Sequence, residues 1–96
     1  MKLLGRSSNS NVVELNESFK NYDAIYVSSF SKRSKEDSTI STSIFAFSED
    51  INVGEKITLL QESNGDAWAR VFLTISSETS FNTTIKQYIT VIGINI

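Results

Sequence analysis

The 96-residue sequence contains no cysteine, no histidine and no proline. Without cysteine the chain can form neither a disulfide nor a thiolate metal site, and without histidine it has no imidazole ligand and no nucleophile–histidine pair. An excess of one charge is also lacking, because nine Lys and Arg residues stand against eleven Asp and Glu residues, for a net charge of −2. This balance provides no general electrostatic reason to bind nucleic acid or an anionic membrane.

Long apolar segments are missing as well. The apolar runs are only a few residues long, so no segment is expected to insert into a membrane. The start, Met1-Lys-Leu-Leu, lacks the apolar stretch of a signal peptide, and we expect synthesis in the cytoplasm without export by the usual route. No internal repeat or Gly/Ser linker divides the chain, which predicts a single domain over residues 1–96.

β-branched and aromatic residues dominate what the sequence does contain. Val, Ile, Thr, Phe, Tyr and Trp total 35 residues, whereas there are only four Ala and six Leu. Branched and aromatic side chains fit the pleated surface of a sheet, and good apolar helix formers are scarce. Ser, Thr and Asn together supply 32 residues, and these favour turns and exposed strand faces. The composition therefore predicts an all-β fold.

Alternation of apolar and polar residues predicts about eight short strands separated by turn clusters. They span Lys2–Gly5, Val12–Leu15, Ala24–Phe30, Ile40–Phe47, Lys56–Gln61, Ala67–Ile75, Phe81–Ile85 and Tyr88–Ile96. Asn64-Gly65 between two of these runs is a strong hairpin signal. The pattern favours an antiparallel two-sheet sandwich with jelly-roll-like connections, and a small closed barrel is the alternative. Parallel α/β folds are excluded, because no gap is long enough for repeated crossover helices.

Two predicted strands, within Trp68–Ile75 and Tyr88–Ile96, are apolar on both faces. An antiparallel sandwich normally buries only one face of a strand. Three interpretations are open: these are central strands of a tight sandwich, their second face packs against a sister subunit, or that face binds a ligand. A sister subunit would also cover sheet edges that proline cannot protect in this chain.

The carboxylates do not form an obvious catalytic or metal-binding motif. Glu36-Asp37 and Glu49-Asp50 are adjacent pairs, and neighbours in an extended chain point to opposite sides. The sequence has no D-x-D-x-D spacing for calcium, and its four isolated glycines form no phosphate-binding loop. We therefore expect no catalytic residue, no metal site and no cofactor.

Five residues are candidates for ligand binding. Lys32, Arg33 and Lys35 form the only basic cluster and could meet phosphate groups, although neutralisation by Glu36 and Asp37 favours a solvated hairpin tip. Trp68 follows the predicted hairpin turn, and Tyr22 lies in a predicted corner. Either ring could stack on a saccharide, and core or interface packing is the alternative for both.

Four segments near the two ends of the chain carry a family resemblance. They are Leu3-Leu4-Gly5, Val12–Ser18 (VVELNES), Phe19–Val27 (FKNYDAIYV) and Ile89–Ile94 (ITVIGI), with Phe19 expected to lie under the corner. Together they resemble the small β-sandwich domains of bacteriophage and prophage tail proteins, which occur in tail-fibre, baseplate and receptor-binding proteins. The motifs have a physical logic, because the Asn-Tyr-Asp corner anchors a core strand and Gly93 lets the last strand bend or pack closely.

The resemblance implies a non-enzymatic domain in the virion tail. Such a domain would form a homo-oligomer, most often a trimer, and would contact a host-surface saccharide or other tail proteins through several weak sites. The loops Arg6–Ser10, Ser31–Ser38 and Glu62–Asp66 would present those sites. Two alternatives remain at this point: a purely structural part of the tail or neck, and a lytic accessory protein that uses Glu36, Asp37 or Glu49.

Overall fold

The computed structural model describes the backbone of residues 1–32, 39–64 and 67–96, and the side chains of residues 1–31, 41–59 and 71–96. This part of the chain is all-β and contains no α-helix. Its six strands are β1 (Lys2–Glu14), β2 (Ala24–Lys32), β3 (Thr39–Phe47), β4 (Lys56–Asn64), β5 (Ala67–Ser77) and β6 (Ser80–Ile94). Two single 3-10 turns, Phe19–Asn21 and Ser48–Asp50, complete the regular structure.

The strands form one antiparallel sheet in the order β3-β2-β6-β5-β4, with β1 paired to the remaining edge of β6. β6 is therefore the central strand. Its residues 80–83 pair with β5, its residues 88–94 pair with β2, and β1 follows it from end to end. The β2-β3 and β4-β5 hairpins are attached to opposite ends of the same strand.

Side chains replace the backbone ladder where β6 changes its partner. The backbone N–H of Phe72 in β5 donates to Thr84 Oγ1 at 3.1 Å, just after the last β5 pair. Ser29 Oγ in β2 donates to the buried Oε1 of Gln87 at 3.1 Å, just before the first β2 pair. These bonds satisfy the Phe72 N–H and Gln87 Oε1 at the branch point of the sheet, while Gln87 Nε2 is buried without a partner among the described residues.

β1 bends so strongly that its two ends meet. The Asn16 N–H donates to the Leu4 carbonyl at 2.8 Å, and a Cβ at Gly5 would lie 2.5 Å from the Glu14 carbonyl oxygen. Three register irregularities interrupt the β1–β6 ladder, and Asn9 adopts the left-handed conformation with φ 50°. Bulges bend strands, and asparagine tolerates positive φ. The sheet consequently folds over and nearly closes into a barrel.

The prediction of about eight strands in two sheets is not confirmed, because the structure has six strands in one folded sheet. The predicted strands Lys2–Gly5 and Val12–Leu15 are both parts of β1, and the predicted loop Arg6–Ser10 pairs with β6. Phe81–Ile85 and Tyr88–Ile96 likewise merge into β6. Ladder hydrogen bonds come from the backbone, so a polar Ser/Asn stretch can continue a strand when bulges absorb its irregularity.

The remaining four predicted strands are confirmed with small changes at their ends. β4 and β5 form the predicted hairpin, but the predicted turn at Asn64-Gly65 is displaced, because Asn64 is still paired with Ala67. That pairing leaves only residues 65–66 for the connection, and these lie outside the described residues. The expected loop Glu62–Asp66 is therefore wrong over residues 62–64, which belong to the ladder.

One core fills the space inside the folded sheet. Phe19 lies fully buried under the corner, as expected, with its ring edge-on to Phe81 at 5.5 Å between centroids. Although β5 and β6 are apolar on both faces in the sequence, only one face of each is buried among the described side chains. Their buried members are Val71, Leu73, Ile75, Ile89 and Val91.

Tyr22 packs directly on Gly93. A Cβ at Gly93 would lie 2.6 Å from Tyr22 Cγ and 2.8 Å from both Cδ atoms, so no side chain larger than hydrogen fits beneath the ring. The corner is thereby held against the C-terminal half of β6, in agreement with the close packing expected at this glycine.

Replacement of Gly93 by alanine should destabilise the domain. Overpacking against the Tyr22 ring lowers the free energy of unfolding by about 1–3 kcal/mol, measured by urea denaturation. In a Tyr22→Ala background the added methyl has room, and the same substitution should cost much less. Gly5→Ala is the matched control, because its obstacle is the Glu14 backbone and truncation of Leu15 should not relieve it. Equal costs of Gly93→Ala in both backgrounds would contradict this packing.

Candidate functional site

A row of apolar side chains crosses four strands on the outer face of the sheet. The backbone register places Leu3 beside Ile92, Ile92 beside Tyr26, and Tyr26 beside Phe45. Leu3 is 52% exposed, Tyr26 36% and Phe45 54%. Phe47 follows Phe45 on the same face, 45% exposed, with the two rings edge to face at 5.8 Å. We call these five residues the outer apolar face.

The outer apolar face is large for so small a chain. Its three aromatic rings are each about half exposed and together present ~300 Å² of accessible surface, given the size of these side chains. A patch of this size lies at the lower end of the range of about 300–600 Å² for the largest apolar patch on a typical monomer, and such patches are often functional. On the same side of the sheet, Phe30 and Tyr88 form a stacked pair with centroids 4.9 Å apart.

A groove opens beside Phe47, where the outer apolar face meets the Tyr22 corner. We call it the corner groove. It encloses about 540 Å³ and is lined by Lys20, Tyr22, Asp23, Phe47, Ser48, Glu49 and Ile96. Aromatic rings, carboxylates and a cation thus meet in one depression that is open to solvent.

Lys20 fixes the wall of the corner groove. Its Nζ donates to the carbonyl oxygens of Ser48 at 2.6 Å and Ile51 at 2.5 Å, and lies 5.2 Å from the centroid of the Phe19 ring. Ser48 Oγ in turn donates to the Phe19 carbonyl at 3.2 Å. These bonds tie the two 3-10 turns together, so the groove is shaped before any ligand arrives.

A small charged network lies behind the Tyr22 ring. Lys2 Nζ donates to Glu17 Oε2 at 2.6 Å, and Asn21 Nδ2 donates to Glu17 Oε1 at 3.3 Å. The Lys2 hydrogen bond is the main reason that the pKa of Glu17 is lowered, and the same bond raises the pKa of Lys2. Desolvation and the neighbouring Glu17 carboxylate raise the pKa of the Tyr22 hydroxyl.

The Lys2–Glu17 pair predicts a pH effect of definite sign. Because the pKa of Glu17 is lower in the folded than in the unfolded chain, its contribution to stability is present above the unfolded pKa and is lost as pH falls through the folded pKa. An NMR titration of the Glu17 side chain should therefore give a pKa below its ordinary value. In Lys2→Met the pKa should rise toward that value, and an unchanged titration would contradict the pairing.

Of the five predicted ligand residues, the structure places one in the groove. Tyr22 lines the corner groove. Trp68 belongs to β5 opposite Ser63, and Lys32 ends β2, but both side chains lie outside the described residues. Arg33 and Lys35 lie outside the described residues altogether.

Of the three possible catalytic carboxylates, only one lies among the described residues. Glu36 and Asp37 fall outside the described residues. Glu49 lies on the second 3-10 turn, where it is exposed and lines the corner groove. Among the described residues, no group of three or more acidic side chains is placed to hold a metal ion.

Sequence reasoning missed Phe45, Phe47 and Leu3 as surface residues. Both faces of β3 carry apolar side chains, so alternation alone does not reveal which face is buried. A signal was present nonetheless, because Phe45 and Phe47 share their face with Ser41 and Ser43. Serines on one face of a strand favour solvent on that side, and the aromatic residues that follow them are then exposed.

Similarity to known proteins does not identify this site. No family model, no curated protein and no solved structure matches the chain. In the ranges that the structure describes, no helix is long and apolar enough to cross a membrane.

Proposed function

We propose that the chain is a non-enzymatic binding domain of a bacteriophage or prophage tail, which attaches the virion to the host surface or to other tail proteins. The observation that carries this proposal is the outer apolar face, which runs directly into the corner groove at Phe47. The resemblance at both ends of the chain supplies the biological setting. In this proposal the two halves of the folded sheet correspond to the facing layers of a jelly-roll-like sandwich.

Burial of the three exposed rings against a partner would contribute substantially to the binding free energy. Covering their ~300 Å² would contribute ~7 kcal/mol at 25 cal/mol per Å². Association itself costs about 4–15 kcal/mol in lost freedom, so this face alone binds a partner weakly. Several copies joined in a homo-oligomer overcome that limit by multivalency, which is why we propose that the domain works as an assembly. The family resemblance implies a trimer.

The corner groove suits a saccharide. The exposed ring of Phe47 offers an apolar surface for one side of a sugar, and the carboxylates of Asp23 and Glu49 can accept hydrogen bonds from its hydroxyls. Tyr22 would contribute only its ring edge, since Gly93 lies against its ring and its hydroxyl interacts with Glu17. Trp68 and the basic residues Lys32, Arg33 and Lys35 remain proposed secondary contacts.

A purely structural role in the tail is the second candidate function. The outer apolar face favours it, because an apolar surface is also what a neighbouring protein would cover. The two candidates differ in their ligand: the first requires a glycan in the corner groove, and the second requires only protein contacts. Of the carboxylates named for the lytic alternative, only Glu49 lies among the described residues, where it lines the corner groove.

Glycan binding tests the first candidate. On an array of bacterial surface glycans, the wild-type domain should bind at least one polysaccharide. Phe47→Ala should raise the dissociation constant for that polysaccharide about tenfold or more. Val53→Ala is the matched control, because Val53 is 53% exposed but lies outside both the groove and the apolar face. Thermal unfolding of both variants checks that the fold is intact.

The outcomes separate the candidate functions. Binding that Phe47→Ala removes and Val53→Ala retains supports the saccharide site. An array with no binding, together with association with tail proteins, would favour the structural role. Release of sugar from any array polysaccharide would contradict a non-enzymatic domain.

A further inference from the structure

The folded sheet ends at β3 on one side and at β4 on the other. β3 pairs with β2 and β4 pairs with β5; the two strands approach each other where the sheet nearly closes, but no ladder joins them in the described residues. Each of these strands therefore has one row of backbone N–H and C=O groups outside the sheet. Such edges are templates for pairing with another chain, and proteins normally protect them.

β4 carries the usual protection. Lys56 and Glu62 place a charge near each of its ends, and its ladder with β5 is irregular between Thr58 and Leu60. Charged side chains and bulges both prevent a second strand from adding in register. β4 is therefore built as a terminal edge.

β3 carries none of these features. Its nine residues, TISTSIFAF, include no charge, no proline and no glycine. All nine pair with β2 in continuous register without a bulge. A long, regular, uncharged strand rich in β-formers is the kind of edge that pairs with another strand.

We propose that the free edge of β3 pairs with the same edge of a second copy of this chain, antiparallel about a two-fold axis, so that two sheets become one. The inference rests on the self-association in the proposed function, names the surface that performs it, and replaces the trimer that the family resemblance implies with a two-fold dimer. An isologous contact of this kind closes on itself and yields a discrete dimer.

A second copy is favoured because β3 is compatible with itself. With no charged residue, two antiparallel β3 strands place no like charges opposite each other in any register. Dimerisation would also cover apolar side chains on both faces of β3. Phe45 and Phe47 are exposed on the outer face, while Ile44 and Ala46 on the inner face are only partly buried against the core.

The size of this contact sets its strength. The rings of Phe45 and Phe47 each present ~100 Å², and even with the backbone edge and the inner-face residues the contact stays below the ~800 Å² per partner of a standard stable interface. The dimer should therefore be reversible and dependent on concentration. The measured mass should rise from 10.7 kDa toward twice that value as the protein is concentrated.

Charge substitution on each edge tests the proposal by light scattering across a concentration series. Ser43→Lys, at an exposed position in the middle of β3, should raise the dimer dissociation constant at least tenfold. Thr58→Lys, at an exposed position of β4, is the matched control and should leave it within twofold. Mixing Ser43→Lys with Ser43→Glu should restore the dimer as a heterodimer, which an unfolded variant could not do.

Several results would overturn the proposal. They are a mass of 10.7 kDa at every concentration, a trimer, an equal effect of the two lysine substitutions, and no rescue on mixing. Its failure is distinguishable from failure of the proposed function. If the chain binds glycan through Phe47 but never dimerises, only the dimer proposal is contradicted. If it dimerises but binds no ligand, only the proposed function is contradicted.

Discussion

The bent pairing of β1 with β6 is the constraint on which the rest of the structure depends. β6 is hydrogen-bonded along both edges, so every other strand is attached to it directly or through one neighbour. The bend brings Gly5 against the Glu14 carbonyl and lets Asn16 donate to Leu4, which closes one side of the barrel. Without this contact the sheet would be open, with its two hairpins too far apart to share a core.

The bend also decides which surfaces the protein can use. It turns one face of every strand inward, where Phe19 and Phe81 anchor the core. The opposite face is left outside, and on β1, β6, β2 and β3 that face is apolar along one row. A chain of this length buries only about 60–70% of its unfolded surface, so it cannot hide both faces by itself. The proposed binding and self-association both use the surface that remains.

Much of this arrangement was predictable from residue alternation. The positions of β5 and β6, the burial of Phe19 and the close packing at Gly93 follow from local patterns, but the buried face of β5 and β6 does not, because both faces are apolar. The merging of predicted strands did not, because the Ser/Asn stretch of β1 lacks an apolar period and is ordered by backbone pairing with residues 77 to 84 positions away, from the Ser10/Gln87 pair to the Arg6/Thr90 pair. The groove also escaped prediction, since Tyr22 and Phe47 meet only after the sheet has folded. Trp68, Lys32, Arg33 and Lys35 remain predictions.

Long-range nuclear Overhauser effects test the central claim most directly. If β1 bends as described, the Gly5 α-protons should show cross-peaks to the Leu15 methyl groups, because Leu15 Cδ2 lies only 3.0 Å from the site of a Cβ at Gly5. A straight β1 would separate residues ten positions apart by about 33 Å and give no such peaks. Their absence, in a spectrum that still shows the β1–β6 ladder, would contradict the folded sheet and everything derived from its outer face.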